Sequence, residues 1–110
     1  AIYVSGHGSR QFDSSPIPIH QISKIRKSIN KSTVLIYDTG IRNGEDILKA
    51  LCLGADFVMI GKHALFSIAA EGFDGLVQMA NNLKKEIEIA MAQMGAFDIN
   101  KLNSKYLDDF

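Results

Sequence analysis

Ile2-Tyr3-Val4-Ser5-Gly6-His7-Gly8-Ser9-Arg10 begins as a short apolar run and breaks at Ser5 into a loop carrying a His, an Arg and two glycines. The pattern returns at Thr33-Val34-Leu35-Ile36-Tyr37-Asp38-Thr39-Gly40-Ile41-Arg42 and again at Phe57-Val58-Met59-Ile60-Gly61-Lys62-His63. In each run the apolar residues follow one another without alternation, as expected of parallel strands covered on both faces. Strands are therefore expected over residues 2–5, 33–38 and 57–61, each ending in a loop with glycine and positive charge.

Helical spacing follows each strand. Ser14 or Ser15 with Pro16 can open the first helix, and Ile19, Ile22, Ile25 and Ile29 mark one face up to Asn30. Gly44-Glu45-Asp46 puts acidic residues in the first turn of a second helix, where the helix dipole favours them. Ile47, Leu48 and Leu51 form its buried stripe and Gly54 its C-terminal cap. A short helical segment near residues 64–70 follows the third strand. A final helix over residues 73–94 presents Leu76, Ala80, Leu83, Ile87, Ala90 and Met94 on one face and stops at Gly95. Residues 96–110 read as a loosely held tail with a short turn.

His7 and Asp38 stand 31 positions apart, and Asp38 and Gly61 stand 23 apart. A (βα)8 barrel of ~250 residues averages about 31 per unit. The expected fold class is thus α/β, a partial TIM barrel of three parallel βα units, equivalent to the last three, plus a long C-terminal helix. The whole of 1–110 forms one domain, with the βα units and final helix in 1–95 and the tail beyond. Three strands cannot close a barrel and leave an edge on each side. A complementary barrel half or a second copy of the chain is the expected cover, and without either the chain would remain partly molten.

Composition narrows the function classes. Twelve basic and twelve acidic side chains cancel, so no broad basic face suggests nucleic acid or an anionic membrane. The single cysteine, Cys52, excludes an internal disulfide, fits a reducing cytosol, and reads as a small buried hydrophobe on the second helix. No apolar run approaches the ~20 residues that span a bilayer, and no signal peptide is visible. The first residue is Ala, so either an initiator Met was removed or the chain is a piece of a longer one.

The loops carry the chemistry. His7 can take a proton near neutral pH. Arg10, three residues on, can hold a carboxylate with two parallel hydrogen bonds. In (βα)8 proteins functional groups sit at the C-terminal ends of strands, and phosphate often binds after strands seven and eight. Gly40 and Gly61 let the backbone approach a ligand, while Arg42 and Lys62 supply charge. No His, Cys and Asp cluster has metal-ligand spacing, so no metal is expected. His20 reads as structural or exposed.

Ser5-Gly6-His7-Gly8-Ser9-Arg10-Gln11-Phe12-Asp13 resembles the signature S-N-H-G-x-R-Q-x-D of FMN-dependent α-hydroxy-acid dehydrogenases and oxidases, the L-lactate dehydrogenase and glycolate oxidase group. The resemblance continues through Asp38-Thr39-Gly40-Ile41-Arg42-Asn43-Gly44, Leu48 to Ala55, Gly61-Lys62, and into the last helix, but it covers only the C-terminal part of that fold. It implies FMN as cofactor and a small, L-lactate-like 2-hydroxy acid as substrate. His7 would be the base, acting on either the α-hydroxyl or the α-carbon proton, and Arg10 would bind the substrate carboxylate. Asp38, Thr39, Gly40, Ile41, Arg42, Gly61 and Lys62 would hold the ribityl chain and phosphate of FMN. Asp13 would brace the loop or cap a helix.

The chain departs from the pattern at four places. Gly6 stands for the usual Asn, Thr39 for the first Gly of Asp-Gly-Gly, Lys62 for Arg and His63 for Pro. A β-branched residue at position 39 is ill suited if positive φ is needed there. The alternative is a truncated, inactive remnant that at most binds flavin or phosphate weakly. A barrel acting on nucleotides or glutamate is a third possibility, disfavoured by the His and Arg pair. The resemblance implies an oxidoreductase of the cytoplasm, with peripheral inner-membrane association if it is part of a lactate dehydrogenase.

Overall fold

The computed structural model describes residues 1–107. Its centre is a three-stranded parallel sheet in the order β1 (Ile2–Val4), β2 (Leu35–Tyr37), β3 (Phe57–Val58). β1 pairs with β2 with Ile2 opposite Leu35 and Val4 opposite Tyr37, and β2 pairs with β3 with Tyr37 opposite Val58. Helices α1 (Ile19–Ser28), α2 (Gly44–Cys52) and α3 (Lys62–Met94) follow the three strands in turn. This is the βα repeat expected from the sequence, in the same order.

The strands are shorter than the apolar runs, β3 being confined to Phe57–Val58, although ladder bonds such as Met59 N to Tyr37 O at 2.8 Å and Ile2 N to Val34 O at 2.8 Å continue just beyond their ends. The core lies on one side of the sheet. Leu35 and Tyr37 of β2 pack there with Ile22 of α1, Ala50 of α2, Ile41 and Ala55, all buried. Tyr3, Ile36 and Phe57 share a register row on the other side, where Tyr3 and Phe57 are more than half exposed. The expectation of strands covered on both faces is therefore corrected: among the described residues the core with α1 and α2 covers one face, and Tyr3 and Phe57 are exposed on the other.

Arg26 of α1 ties the lower ends of the strands together. Its Nε donates to Gly54 O at 2.9 Å, its Nη1 to Thr33 O at 3.0 Å, and its Nη2 to Asp56 Oδ2. The same Asp56 oxygen accepts the Leu35 amide at 2.8 Å. One guanidinium thus satisfies two loop carbonyls and orients the carboxylate that starts β2. At its N-terminus α2 is capped by Asn43, whose side chain accepts the Asp46 amide. A β-carbon at Gly44 would lie 2.6 Å from Ile87 N, so the glycine is what lets α2 rest on the backbone of α3. Glu86 of α3 accepts the Gly44 amide at 2.7 Å across that contact.

Other differences from the sequence reading have local causes. α1 starts at Ile19 with Pro18 at its cap, not at Ser14 or Ser15, and Asp13 lies outside it. α3 spans both expected helices, with a kink at Glu71 and Gly72 (φ 59, ψ −139) dividing it where the two were expected to part. Its buried residues are Gly75, Met79, Leu83 and Ala90, and Leu76, Ile87 and Met94 of the expected stripe are half-buried, so that face packs as expected except at Ala80, which is exposed. Cys52 is buried, and burial pushes its thiol pKa up. The tail is held rather than loose: Ala96 is buried, and turns at Ile99–Lys101 and Ser104–Tyr106 are capped by the side chains of Asp98 and Asn103. Residues 108–110 of that tail lie outside the described residues.

Leu35 is fully buried and Phe97 is 99% exposed. Leu35→Ala is expected to destabilise the chain by about 2–5 kcal/mol, whereas Phe97→Ala should stay within about 0.5 kcal/mol. Urea denaturation of the two variants beside the parent chain checks both.

Candidate functional site

The three loops leaving the strands converge at one end of the sheet, because all three strands run the same way. The first folds as a 3-10 turn over His7–Ser9. His7 (φ 49), Gly8 (φ 67) and Ser9 (φ 59) follow one another in the left-handed region. For His7 and Ser9 that conformation costs roughly 1–3 kcal/mol each. Local hydrogen bonds offset part of this, from the His7 amide to Ser5 Oγ at 3.0 Å and from the Ser9 amide to Gly6 O at 2.7 Å. The side chains of His7 and Arg10 both face solvent.

The second loop centres on Asp38 and Thr39. Tyr3 OH donates to Asp38 Oδ2 at 2.6 Å and Thr39 Oγ1 donates to Asp38 Oδ1 at 2.9 Å. Partial burial opposes the charge of this carboxylate. Hydrogen bonds from Tyr3, Ser5 and Thr39, together with nearby His7, outweigh it and hold the pKa below the ordinary range. The Tyr3 phenol is raised in turn, chiefly by its bond to Asp38. Tyr37, buried beneath the loop, donates to Thr39 O at 2.9 Å. Burial first, then the charges of Asp38 and Asp46, push its pKa up to about 12.

Thr39 has φ 103, so the positive φ at this position is present although the residue is β-branched. Ile41 is buried in the core, which anchors the loop and leaves only its backbone available to a ligand. Arg42 is exposed; its amide donates to Asp46 Oδ2 at 3.0 Å and its guanidinium reaches Ile41 O at 3.2 Å. The third loop brings Gly61 and Lys62 to the N-terminus of α3. Lys62 Nζ donates to Gly8 O at 3.0 Å, which joins the third loop to the first.

All nine residues singled out from the sequence therefore lie on these three loops, although the Ile41 side chain points into the core. Sequence reasoning missed Tyr3 and Ser5 as partners of Asp38. It also missed the buried Nδ1 of His63, which has no hydrogen-bond partner among the described residues. Strand alternation could have found Tyr3, since it faces the same side as Ile36 and Phe57. No group of three or more His, Cys, Asp or Glu side chains is arranged to hold a metal ion among the described residues. Nor is any helix among them long and apolar enough to cross a membrane.

The surroundings suit an extended phosphorylated ligand. Among the described residues, and apart from their own chain neighbours, no atom lies within 4 Å of where a β-carbon would stand at Gly40 or Gly61, so the backbone at both glycines faces open space. Arg42 and Lys62 stand two and one positions after these glycines and supply positive charge to the two loops, and the start of α3 adds its dipole.

The family described as FMN-dependent dehydrogenase matches residues 1–109. A 2-hydroxyacid oxidase of Dictyostelium discoideum is 39% identical over 108 residues, which are 98% of this chain and 28% of that protein. An L-lactate oxidase of Lacticaseibacillus rhamnosus is 43% identical over 94 residues, 86% of this chain and 26% of that protein. A soluble mutant of the membrane-associated (S)-mandelate dehydrogenase from Pseudomonas putida superimposes with a TM-score of 0.91 at 34% identity, over 98% of this chain and 30% of that one. The chain thus spans less than a third of the length of these relatives.

The depressed Asp38 pKa carries a sign. The folded chain holds that proton less tightly than the unfolded chain, so acid favours unfolding. The Asp38 contribution is fully present above the unfolded carboxylate value of roughly 4 and is lost as pH falls through the lower folded value. Thermal melts from pH 7 downward should show this loss in the parent chain and a shallower acid dependence in Asp38→Asn.

Proposed function

Because this chain belongs to the FMN-dependent dehydrogenase family, we propose that it supplies the reaction loop and the FMN-phosphate loops of an enzyme that oxidises small L-2-hydroxy acids, of the L-lactate type, to 2-oxo acids. One observation carries the reading: the His7–Arg10 turn, the Asp38–Arg42 loop and the Gly61-Lys62 loop meet at one end of the sheet, linked through Thr39 and Lys62. The 2-hydroxyacid oxidase and L-lactate oxidase relatives support the substrate class.

The residues present fit FMN. The open backbone at Gly40 and Gly61 gives its ribityl phosphate room, and Arg42 and Lys62 give it countercharge. Asp38 and Thr39 lie beside that space, with Ile41 anchoring the loop from below. FMN, when bound, accepts the two electrons removed from the substrate's α-carbon. Arg10 binds the substrate carboxylate through two parallel hydrogen bonds and fixes the α-carbon relative to His7. His7 takes the substrate proton at an imidazole nitrogen. The left-handed turn presents both side chains to solvent, where a substrate can reach them.

The rest of the barrel, or a second copy of this chain, would cover the edges of β1 and β3 and the Tyr3, Ile36 and Phe57 face. A cytoplasmic location with peripheral membrane attachment is compatible with the membrane-associated mandelate dehydrogenase neighbour. The second reading, weak flavin or phosphate binding without turnover, is favoured by that same open face, because a site exposed to water loses the low-dielectric setting that strengthens charge stabilisation.

Fluorescence titration of the chain with FMN, followed by L-lactate without oxygen, separates the two. Saturable quenching and then bleaching of the oxidised flavin band support catalysis by this chain, quenching alone supports the second reading, and absence of L-lactate-dependent bleaching when the missing N-terminal barrel units are supplied overturns the first. Where turnover is seen, His7→Ala should lower kcat by roughly 100- to 10,000-fold. Arg10→Met should weaken substrate binding by about 10- to 100-fold, measured from the KM for L-lactate.

A further inference from the structure

Two departures from the family pattern, Gly6 and Thr39, are 33 positions apart in sequence and in contact in the fold. The Gly6 amide donates to Thr39 Oγ1 at 2.7 Å, and the same hydroxyl donates onward to Asp38 Oδ1 at 2.9 Å. Both functions of the hydroxyl are used, so its orientation is determined. A β-carbon at Gly6 would stand 3.0 Å from Pro18 Cγ, 3.1 Å from Thr39 Oγ1 and 3.2 Å from Thr39 Cγ2. The backbone at Gly6 (φ −95) is open to any residue, so the exclusion there is one of volume and not of conformation. Where the resembled pattern has its side chain on the first loop and a glycine on the second, this chain has the reverse.

We propose that Thr39 is the positioning residue of this site: its side chain fills the space beside Gly6, clasps the Gly6 amide, and so sets the His7–Arg10 turn against the Asp38 loop. Gly6 and Thr39 act as one unit: a side chain at Gly6 forces Pro18 or Thr39 to shift, and loss of the Thr39 hydroxyl releases the Gly6 amide. Thr39 holds its positive φ because three hydrogen bonds converge on it, two at the hydroxyl and one from Tyr37 OH to its carbonyl. The functional meaning of the clasp rests on the reading of His7 and Arg10 given above, whereas the clasp itself rests on geometry alone.

Amide hydrogen exchange on the full 110-residue chain, read by NMR, tests it. The Gly6 amide should exchange at least ~10-fold faster in Thr39→Val, which keeps the shape and loses the hydroxyl, and the His7 to Arg10 cross-peaks should move. Thr39→Ser, which keeps the hydroxyl, should restore both. Gly6→Ala should lower the melting temperature in the parent background and do so much less in a Thr39→Gly background, the non-additivity expected of residues in contact. Equal Gly6 exchange in the parent and Thr39→Val overturns the assignment, as does additivity of Gly6→Ala and Thr39→Gly. If Thr39→Val unfolds the chain, failure of Thr39→Ser to restore Gly6 protection overturns it as well. FMN titration of the same samples reports separately on function: a clasp seen without FMN binding leaves the positioning intact and shows that these loops alone do not hold flavin.

Discussion

The site depends on β2 being hydrogen-bonded in parallel on both sides. Ile36 and Tyr37 have a register partner in both neighbouring strands, and β2 thereby sets the register of β1 and β3. Because the pairing is parallel, all three strands leave the sheet at the same end, and the loops that follow have nowhere to go but together. The lower end is closed by Arg26 and Asp56, the upper end by Tyr37 under the Asp38 loop. Two buried residues of β2, Leu35 and Tyr37, carry both the core and the floor of the site.

Unfavourable backbone conformations gather where the loops meet. Among the described residues, His7, Ser9 and Thr39 are the non-glycine residues with positive φ, and all three lie on the two loops that would face substrate and flavin. Such conformations persist only where surrounding contacts over-determine them. Here Ser5, Asp38, Tyr37 and the Gly6 amide supply those contacts. The same network lowers the Asp38 pKa and raises that of Tyr3, so the charge and the shape of the loop end have one cause.

The opposite side of the sheet shows what this chain contributes to a barrel. Tyr3 and Phe57 are exposed in a register row with Ile36, on the face opposite the Leu35 and Tyr37 core. In a (βα)8 barrel that face looks inward and packs against the other strands. The chain spans under a third of its relatives' length, which agrees with three units of such a barrel. Burial on a single face also explains why the apolar runs in the sequence looked like strands covered on both sides: their composition suits a closed barrel, and within these residues only the helical cover is present.

The order of the βα units, the parallel sheet and the three loops with their His, Arg, Lys and glycines were legible in the sequence, because apolar runs, helical spacing and turn residues are local properties of the chain. The Cys52 burial and the break near Glu71 and Gly72 were legible for the same reason. Where α1 begins and how the tail is held were not, since each is set by what a segment meets and not by its own pattern. The contact of Gly6 with Thr39 belongs to that second class. By sequence alone they are two unrelated departures on separate loops; only the parallel pairing of β1 with β2 brings the amide of one within 2.7 Å of the hydroxyl of the other, because register converts a distance along the chain into a contact in space.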